Sequence, residues 1–228
     1  MKIEIKNVCQ SFSGKQVFKD LNLTIEDKKI SCILGPSGCG KTTLLNIIAG
    51  IQRFDSGKIY PAPPLKVSYL FQESRLLPWF TALENVMYLM DDSLSKRYKK
   101  FKAIDLLYNI GLVGYENHYP HELSGGMARR VALVRVLAHP SSVLLLDEPF
   151  VSLDSELKFE IVELIRTLIQ QEQRTAVCVT HDLMVAEKFG DILIILEKSD
   201  KVTDMANVKI KRNLSKNYSR ENFLDFVK

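Results

Sequence analysis

Lys29-Ile30-Ser31-Cys32-Ile33-Leu34 runs into Gly35-Pro36-Ser37-Gly38-Cys39-Gly40-Lys41-Thr42, and a helical pattern from Lys41 to Ala49, closed by Gly50, follows at once. The first run is apolar and reads as a strand; the second fits G-x-x-x-x-G-K-[ST] at every fixed position. In such a loop the glycines let backbone amides turn toward phosphates. Lys41 neutralises charge on the β- and γ-phosphates, and the Thr42 hydroxyl helps hold Mg²⁺. Strand, glycine loop, helix is the context this motif needs, and it predicts a nucleotide bound where the sheet meets the helix.

Outward from that point the chain keeps to one plan. Lys2-Ile3-Glu4-Ile5-Lys6 alternates as a half-buried strand does. From about Gln72 to Ala138 helical patterns replace strands, marking a helical subdomain. Within it Thr81-Ala82-Leu83-Glu84 has the form of a capping box, and Lys99 to Ile110 carries an apolar face that stops at Gly111. Strand patterns return at Val143–Leu146, Thr175–Thr180 and Ile192–Leu196, with helices between them, which predicts a largely parallel, covered sheet. Leu157, Ile161, Leu164, Ile165 and Leu168 share one helical face and read as core. The tail from Ser199 is polar and basic, with a short amphipathic piece around Phe223, Leu224 and Val227. Pro61 to Pro64 reads as a loop.

Chemistry concentrates at the ends of the predicted strands. Asp147 and Glu148 follow the apolar run Val143 to Leu146. The first carboxylate can reach a magnesium shell, and the second can accept a proton from an attacking water. Beside a phosphate loop, the pair points to transfer of a phosphoryl group to water, that is, ATP hydrolysis. Ser124-Gly125-Gly126 precedes the apolar helical pattern Val131 to Ala138, which Pro140 ends; a helix N-terminus of this kind is a second anion site. Two phosphate-binding ends in one chain are economically explained if the second serves a nucleotide held by a partner subunit. On its own, though, S-G-G is also a plain capping turn. His181 follows the strand pattern Ala176 to Val179, within reach of a γ-phosphate, while Phe12 is either an adenine-stacking ring or a core aromatic. His118, His121 and His139 lack such a context and read as surface or packing residues.

The bulk properties bound the rest. The chain has 228 residues and a net charge of +4, compatible with an anionic ligand or membrane surface and giving little support to nucleic acid as a partner. No apolar stretch approaches the roughly 20 residues that span a bilayer. Met1-Lys2-Ile3-Glu4 leads into no signal-peptide core, so a cytoplasmic chain is expected. Cys9, Cys32, Cys39 and Cys178 form no C-x-x-C pair and read as reduced thiols.

In this order, and over nearly the whole chain, these elements resemble the nucleotide-binding subunit of ABC transporters. The resemblance implies an α/β P-loop NTPase fold, a single ABC ATPase domain over 1–228. It would have a RecA-like core, an antiparallel β subdomain and a helical subdomain at about 72–138. It also implies roles for named residues. The nucleotide-binding set is Phe12, at the adenine-stacking place, with Gly35, Pro36, Ser37, Gly38, Cys39, Gly40, Lys41, Thr42 and Thr43. Thr42, Gln72 and Asp147 take the magnesium places, and Glu148, Gln72 and His181 the catalytic ones. Leu123, Ser124, Gly125, Gly126 and Met127 take the signature place facing the partner's ATP. Ser152, Leu153 and Asp154, after Val151, resemble the loop that crosses the dimer interface. Two such subunits, as a homodimer or paired with a homologous ATPase, sandwich two ATP molecules with Mg²⁺.

Leu34 to Leu45, Phe71-Gln72-Glu73-Ser74-Arg75-Leu76-Leu77-Pro78-Trp79 and the signature run look like the nitrate, sulfonate and taurine importer ATPases, with thiamine-precursor importers sharing the pattern. Ala128 and Arg129 depart from that branch's usual arginine and glutamine, and Val151-Ser152 from its usual glycine-alanine. The implied partners are a polytopic membrane permease, reached at the cytoplasmic face of the membrane, and an extracytoplasmic solute-binding protein. A soluble ABC ATPase acting on DNA or in cofactor assembly, and an exporter motor, are the alternatives. The long coiled coils of the DNA-repair members are absent from this sequence.

Overall fold

The computed structural model describes residues 1–151, 153, 155–198 and 206–211. The chain opens with β1 (Ile3–Phe12), β2 (Lys15–Ile25), β3 (Ile30–Leu34), α1 (Lys41–Ile48), β4 (Ser56–Tyr60) and β5 (Val67–Leu70). Then come α2 (Ala82–Tyr88), α3 (Lys96–Asn109) and α4 (Gly125–Ala138). The remainder alternates: β6 (Val143–Asp147), α5 (Ser155–Gln171), β7 (Thr175–Thr180), α6 (Leu183–Phe189), β8 (Ile192–Lys198) and β9 (Ala206–Lys211).

These strands make two sheets. The larger has the order β5-β6-β7-β3-β8-β9; its first five strands run parallel, and β9 is added antiparallel at one edge. Every residue of β3, β6 and β7 is buried, as expected for parallel strands covered on both faces. Because side chains alternate along a strand, the two faces are packed by different partners. Ile33, Leu145, Val177 and Val179 meet α1 and the smaller antiparallel sheet β2-β1-β4. Leu34, Leu146, Ala176 and Cys178 meet the apolar faces of the later helices. The sheet is therefore the middle of three layers.

The helix ends follow from local chemistry. Thr81 Oγ1 accepts from the Glu84 amide at 3.2 Å while Glu84 Oε2 accepts from the Thr81 amide at 2.9 Å, the reciprocal cap expected from the sequence. α3 begins three residues before the sequence reading places it, because Ser95 caps it by accepting from the Tyr98 amide. On α5, Ile161 and Ile165 are buried and Leu157, Leu164 and Leu168 pack against the same core. Phe223, Leu224 and Val227 lie outside the described residues.

What positions the site is the register of the parallel strands. Leu34 sits opposite Thr180, Asp147 opposite Val179, and Leu70 opposite Leu146, so β3, β5, β6 and β7 end together. The turns that leave them carry Gly35, Gln72, Glu148 and His181. A crevice beyond the carboxyl ends of the strands is where open α/β sheets hold ligands.

Candidate nucleotide site

The phosphate loop leaves β3 and enters α1 through Gly40, whose φ of +98° is the left-handed region. A methyl group there would lie 2.8 Å from Phe18 Cζ and from Val17 Cγ1, so the position requires glycine on two grounds. Gly35 is enforced by closeness alone, since a Cβ would come within 2.6 Å of Cys39 Sγ and of the Leu196 carbonyl. The Cys39 side chain is turned into the core, 3 % exposed, leaving only its backbone to serve a ligand. Pro36, Ser37 and Gly38 form the exposed rim, and Thr42 and Thr43 open the helix. α1 has no side-chain cap and no acidic residue in its first turn, so its N-terminal amides are left for an anion. The Lys41 ammonium donates to the carbonyls of Gly35 at 2.6 Å and Pro36 at 2.9 Å, folded over the loop whose bound phosphates it is expected to neutralise.

Across from the loop stands the end of β6. The Thr42 hydroxyl donates to Asp147 Oδ2 at 2.8 Å, joining two of the three residues expected at a magnesium ion. Burial pushes the Asp147 carboxyl above its ordinary range; the Thr42 hydrogen bond pulls it back, and the Glu148 charge adds to the rise. Glu148 has φ +49°, which turns the chain sharply after the strand. Its amide donates to the Val179 carbonyl at 3.0 Å, fixing the turn to β7. One carboxylate oxygen, Oε1, meets His181 Nδ1 at 2.8 Å, and the other, Oε2, is buried with no hydrogen-bond partner among the described residues. A buried acceptor of this kind is costly unless something occupies it. The His181 side chain is 67 % exposed, which leaves its ring accessible beside Glu148.

The remaining expected residues fall in distinct places. Gln72 is exposed, with its backbone carbonyl anchored by Arg129 Nη1 at 2.7 Å. Phe12 is 45 % exposed at the end of β1, which removes the core-aromatic alternative. Ser124 Oγ accepts from the Met127 amide at 3.3 Å and caps α4, while Leu123 and Met127 rest against the core and Gly125 faces open space. The signature run is thus organised on its own helix, and the phosphate loop, Asp147, Glu148 and His181 form one cluster. Leu153 packs against the core; Ser152 and Asp154 lie outside the described residues. Of the other histidines, His139 hydrogen-bonds Ser68 Oγ through Nδ1 at 2.8 Å, a packing role.

Arg129 and Arg135 are what residue-by-residue reading passes over. Arg129 is 6 % exposed and points from α4 to the carbonyls that flank both Gln72 and Glu148. Arg135 donates to the carbonyls of Arg75 at 2.9 Å and Ser74 at 3.1 Å. Stacking adds to this bracing: the rings of Tyr69 and Phe71 lie 4.1 Å apart, and the Arg75 guanidinium sits 4.0 Å from the Phe71 ring. For Arg129 the one signal in the sequence is its departure from the glutamine usual in the related importers.

Comparison with known proteins agrees with this geometry. The ABC transporter family matches residues 18–151. The aliphatic sulfonates import ATP-binding protein SsuB of Bacillus anthracis is 38% identical over 206 residues, covering 86% of this chain and 81% of that protein. The sulfate/thiosulfate import ATP-binding protein CysA of Halalkalibacterium halodurans is 38% identical over 212 residues, 87% of this chain and 59% of its own length. Among solved structures, the ATP-binding cassette MJ0796 in a dimeric post-hydrolysis state with ADP and Pi superposes with a TM-score of 0.79. It is 30% identical and covers 93% of this chain and all of that one. The chain belongs to the ABC transporter family and is one of its ATP-binding cassettes.

Proposed function

We propose that this chain is the ATP-hydrolysing subunit of an importer for a small oxyanion-bearing solute of the sulfonate class. It works as a facing pair and docks on a polytopic permease at the cytoplasmic face of the membrane. The sulfonate and sulfate importers among the relatives support the solute class, which includes taurine; nitrate and thiamine-precursor solutes are the runners-up. No helix among the described residues is long and apolar enough to cross a membrane, so the transport path belongs to another chain. On this reading 1–228 is one ATPase domain, with 72–138 as its helical part. The other partner is a solute-binding protein outside the membrane, and nucleic acid is not among the ligands.

The observation that carries the enzymatic part is the Glu148 carboxylate. One oxygen is oriented by His181 and the other is buried and, among the described residues, unpartnered, beside the Thr42–Asp147 pair. Water placed at Oε2 gives its proton to that carboxylate as its oxygen bonds to the γ-phosphorus. The bond from phosphorus to the bridging oxygen of ADP then breaks. Lys41 leaves the Gly35 and Pro36 carbonyls to meet the phosphates, the amides of the loop and of α1 hold them, and Phe12 stacks on the base. The donor set of Thr42 and Asp147, with Gln72 as third member, is all oxygen and includes a buried carboxylate, which fits Mg²⁺. When bound, the magnesium ion neutralises charge on the β- and γ-phosphates. Ser124 and the glycines after it serve the partner's nucleotide.

Pull-down of the Glu148→Gln form with ATP from solubilised membranes tests the assignment. A polytopic permease should come with it, and its binding protein can then be screened against sulfonates, nitrate and pyrimidines. Recovery with soluble proteins or nucleic acid alone would transfer the chain to the non-transport class.

A further inference from the structure

We propose that Arg129 is a positioning residue that locks the signature helix, the Gln72 turn and the acidic end of β6 into one unit, so that Glu148 and Gln72 move together. The inference rests on the ATPase reading above and concerns a residue for which the resemblance supplies no role, since the related importers usually carry glutamine there.

The guanidinium is buried in the second turn of α4 and uses both terminal nitrogens twice. Nη1 donates to the carbonyls of Phe71 and Gln72, the latter at 2.7 Å. Nη2 donates to the carbonyls of Asp147 and Glu148, the latter at 2.9 Å. Four carbonyls from two strand ends, β5 and β6, are thereby gathered on one rigid plane. The planar fork is what makes the link: an arginine presents several N–H groups in fixed directions, so displacing one pair of acceptors displaces the other. A lysine ammonium can serve one pair but has no second fork, and a glutamine amide has only two N–H groups to offer four carbonyls.

Neighbouring contacts make the two ends of the link stiff. The Gln72 turn is also held by Arg135, through the Ser74 and Arg75 carbonyls, and by the Tyr69–Phe71 stack, whose Tyr69 hydroxyl donates to Asn46 of α1 at 2.9 Å. The Glu148 end is tied to β7 by its amide and by His181. Arg129 is the described side chain that touches both ends. It also lies five residues beyond Ser124 on the same helix, so a push on the N-terminus of α4 is felt at both.

The test compares Arg129→Met, which keeps length without donors, with Arg129→Lys, in the full chain. Amide hydrogen exchange is read by mass spectrometry on peptides covering 71–75 and 147–150, together with steady-state ATP hydrolysis. In Arg129→Met both peptides should lose protection together while 35–45 keeps its own. KM for ATP should stay within about twofold and kcat fall by about tenfold or more. Gln72→Ala should lower kcat in the parent yet do little more in the Arg129→Met background, because residues acting as one unit are non-additive. Arg129→Lys should recover part of the rate, and it carries the test if the methionine form does not fold. The proposal is overturned if the two peptides change independently or not at all, or if Gln72→Ala costs the same factor in both backgrounds. Hydrolysis by the unsubstituted chain no faster than by Glu148→Gln would instead defeat the ATPase reading, leaving the exchange result to decide the link.

Discussion

Asn85→Ala should cost this protein about 3 kcal/mol although Asn85 belongs to no expected site. Asn85 is fully buried on α2. Its Oδ1 accepts from the Leu77 amide at 2.9 Å. Its Nδ2 faces the carbonyls of Leu77 at 3.1 Å, Phe80 at 3.0 Å and Thr81 at 3.1 Å. Two N–H groups satisfy at most two of those carbonyls well, so about three good bonds are at stake. At roughly 0.5–1.5 kcal/mol net for each, and with a half-buried Leu77 amide left unpaired, a loss of about 3 kcal/mol follows. For a chain of this length that is a fall in melting temperature of roughly 6–12 °C. Urea unfolding followed by far-ultraviolet circular dichroism measures it; the slope should stay constant and the midpoint drop. Nucleotide binding at 25 °C should stay within about twofold, because Asn85 makes no hydrogen bond to the phosphate loop. A loss below about 1 kcal/mol at unchanged slope would refute the view that this one amide holds the segment before α2 in place.

Glu148→Gln should slow hydrolysis by about 10²–10⁴-fold, the span of a positioned general base. It should also trap an ATP-bound dimer by light scattering; hydrolysis at the parental rate would remove Glu148 from that role. Lys41→Ala should abolish binding of a fluorescent ATP analogue while leaving the melting temperature nearly unchanged, since among the described residues Lys41 is bonded only to exposed and half-buried loop carbonyls. Asp147→Asn should raise the melting temperature of the nucleotide-free chain at pH 8 and abolish hydrolysis. Burial raises this carboxyl above the ordinary 3.8, so its stabilising contribution is complete below that value and lost as the pH climbs through the raised one. The advantage of the asparagine form should therefore vanish on acidification, and a lower melting temperature at pH 8 would contradict the argument. Gly40→Ala should destabilise by about 2 kcal/mol or more and eliminate nucleotide binding, because the left-handed φ and the Phe18 and Val17 contacts act together.

The parts of this fold legible in the sequence are those where one local rule dominates. Apolar runs mark β3, β6, β7 and β8 because strands covered on both faces leave few polar positions to confuse the pattern. The Thr81 cap and the glycines that end α1 and α3 were legible for the same reason. β2 was not, because register shifts in its pairing with β1 break the alternation between Leu21 and Phe18. β4 buries only Ile59 and so has no periodicity to detect. In the site, the spacing of Gly35 to Thr42 and of Asp147 and Glu148 was enough to name the residues, but not to say which would touch. Phe12 could be separated from a core aromatic only by its exposure. Arg129 stood out solely as a departure from the related importers, since its partners lie 18 to 58 residues away along the chain and are all backbone carbonyls, which no side-chain pattern reveals.

The segment braced by Asn85 also carries the chain's single tryptophan, Trp79, 67 % exposed and edge-on to Phe80 with 6.4 Å between ring centres. An indole bathed in water emits at long wavelength, and one covered by another protein shifts toward the blue. This cassette therefore has an intrinsic optical reporter, with one assignable source of signal, on the segment between the Gln72 turn and α2, and the proposed permease can be tested for docking there. Titrating permease in detergent and following emission would give a docking isotherm without labels. Silence at Trp79 during ATP binding by the isolated subunit would separate events at the phosphate loop from those at the Trp79 segment in a single cuvette.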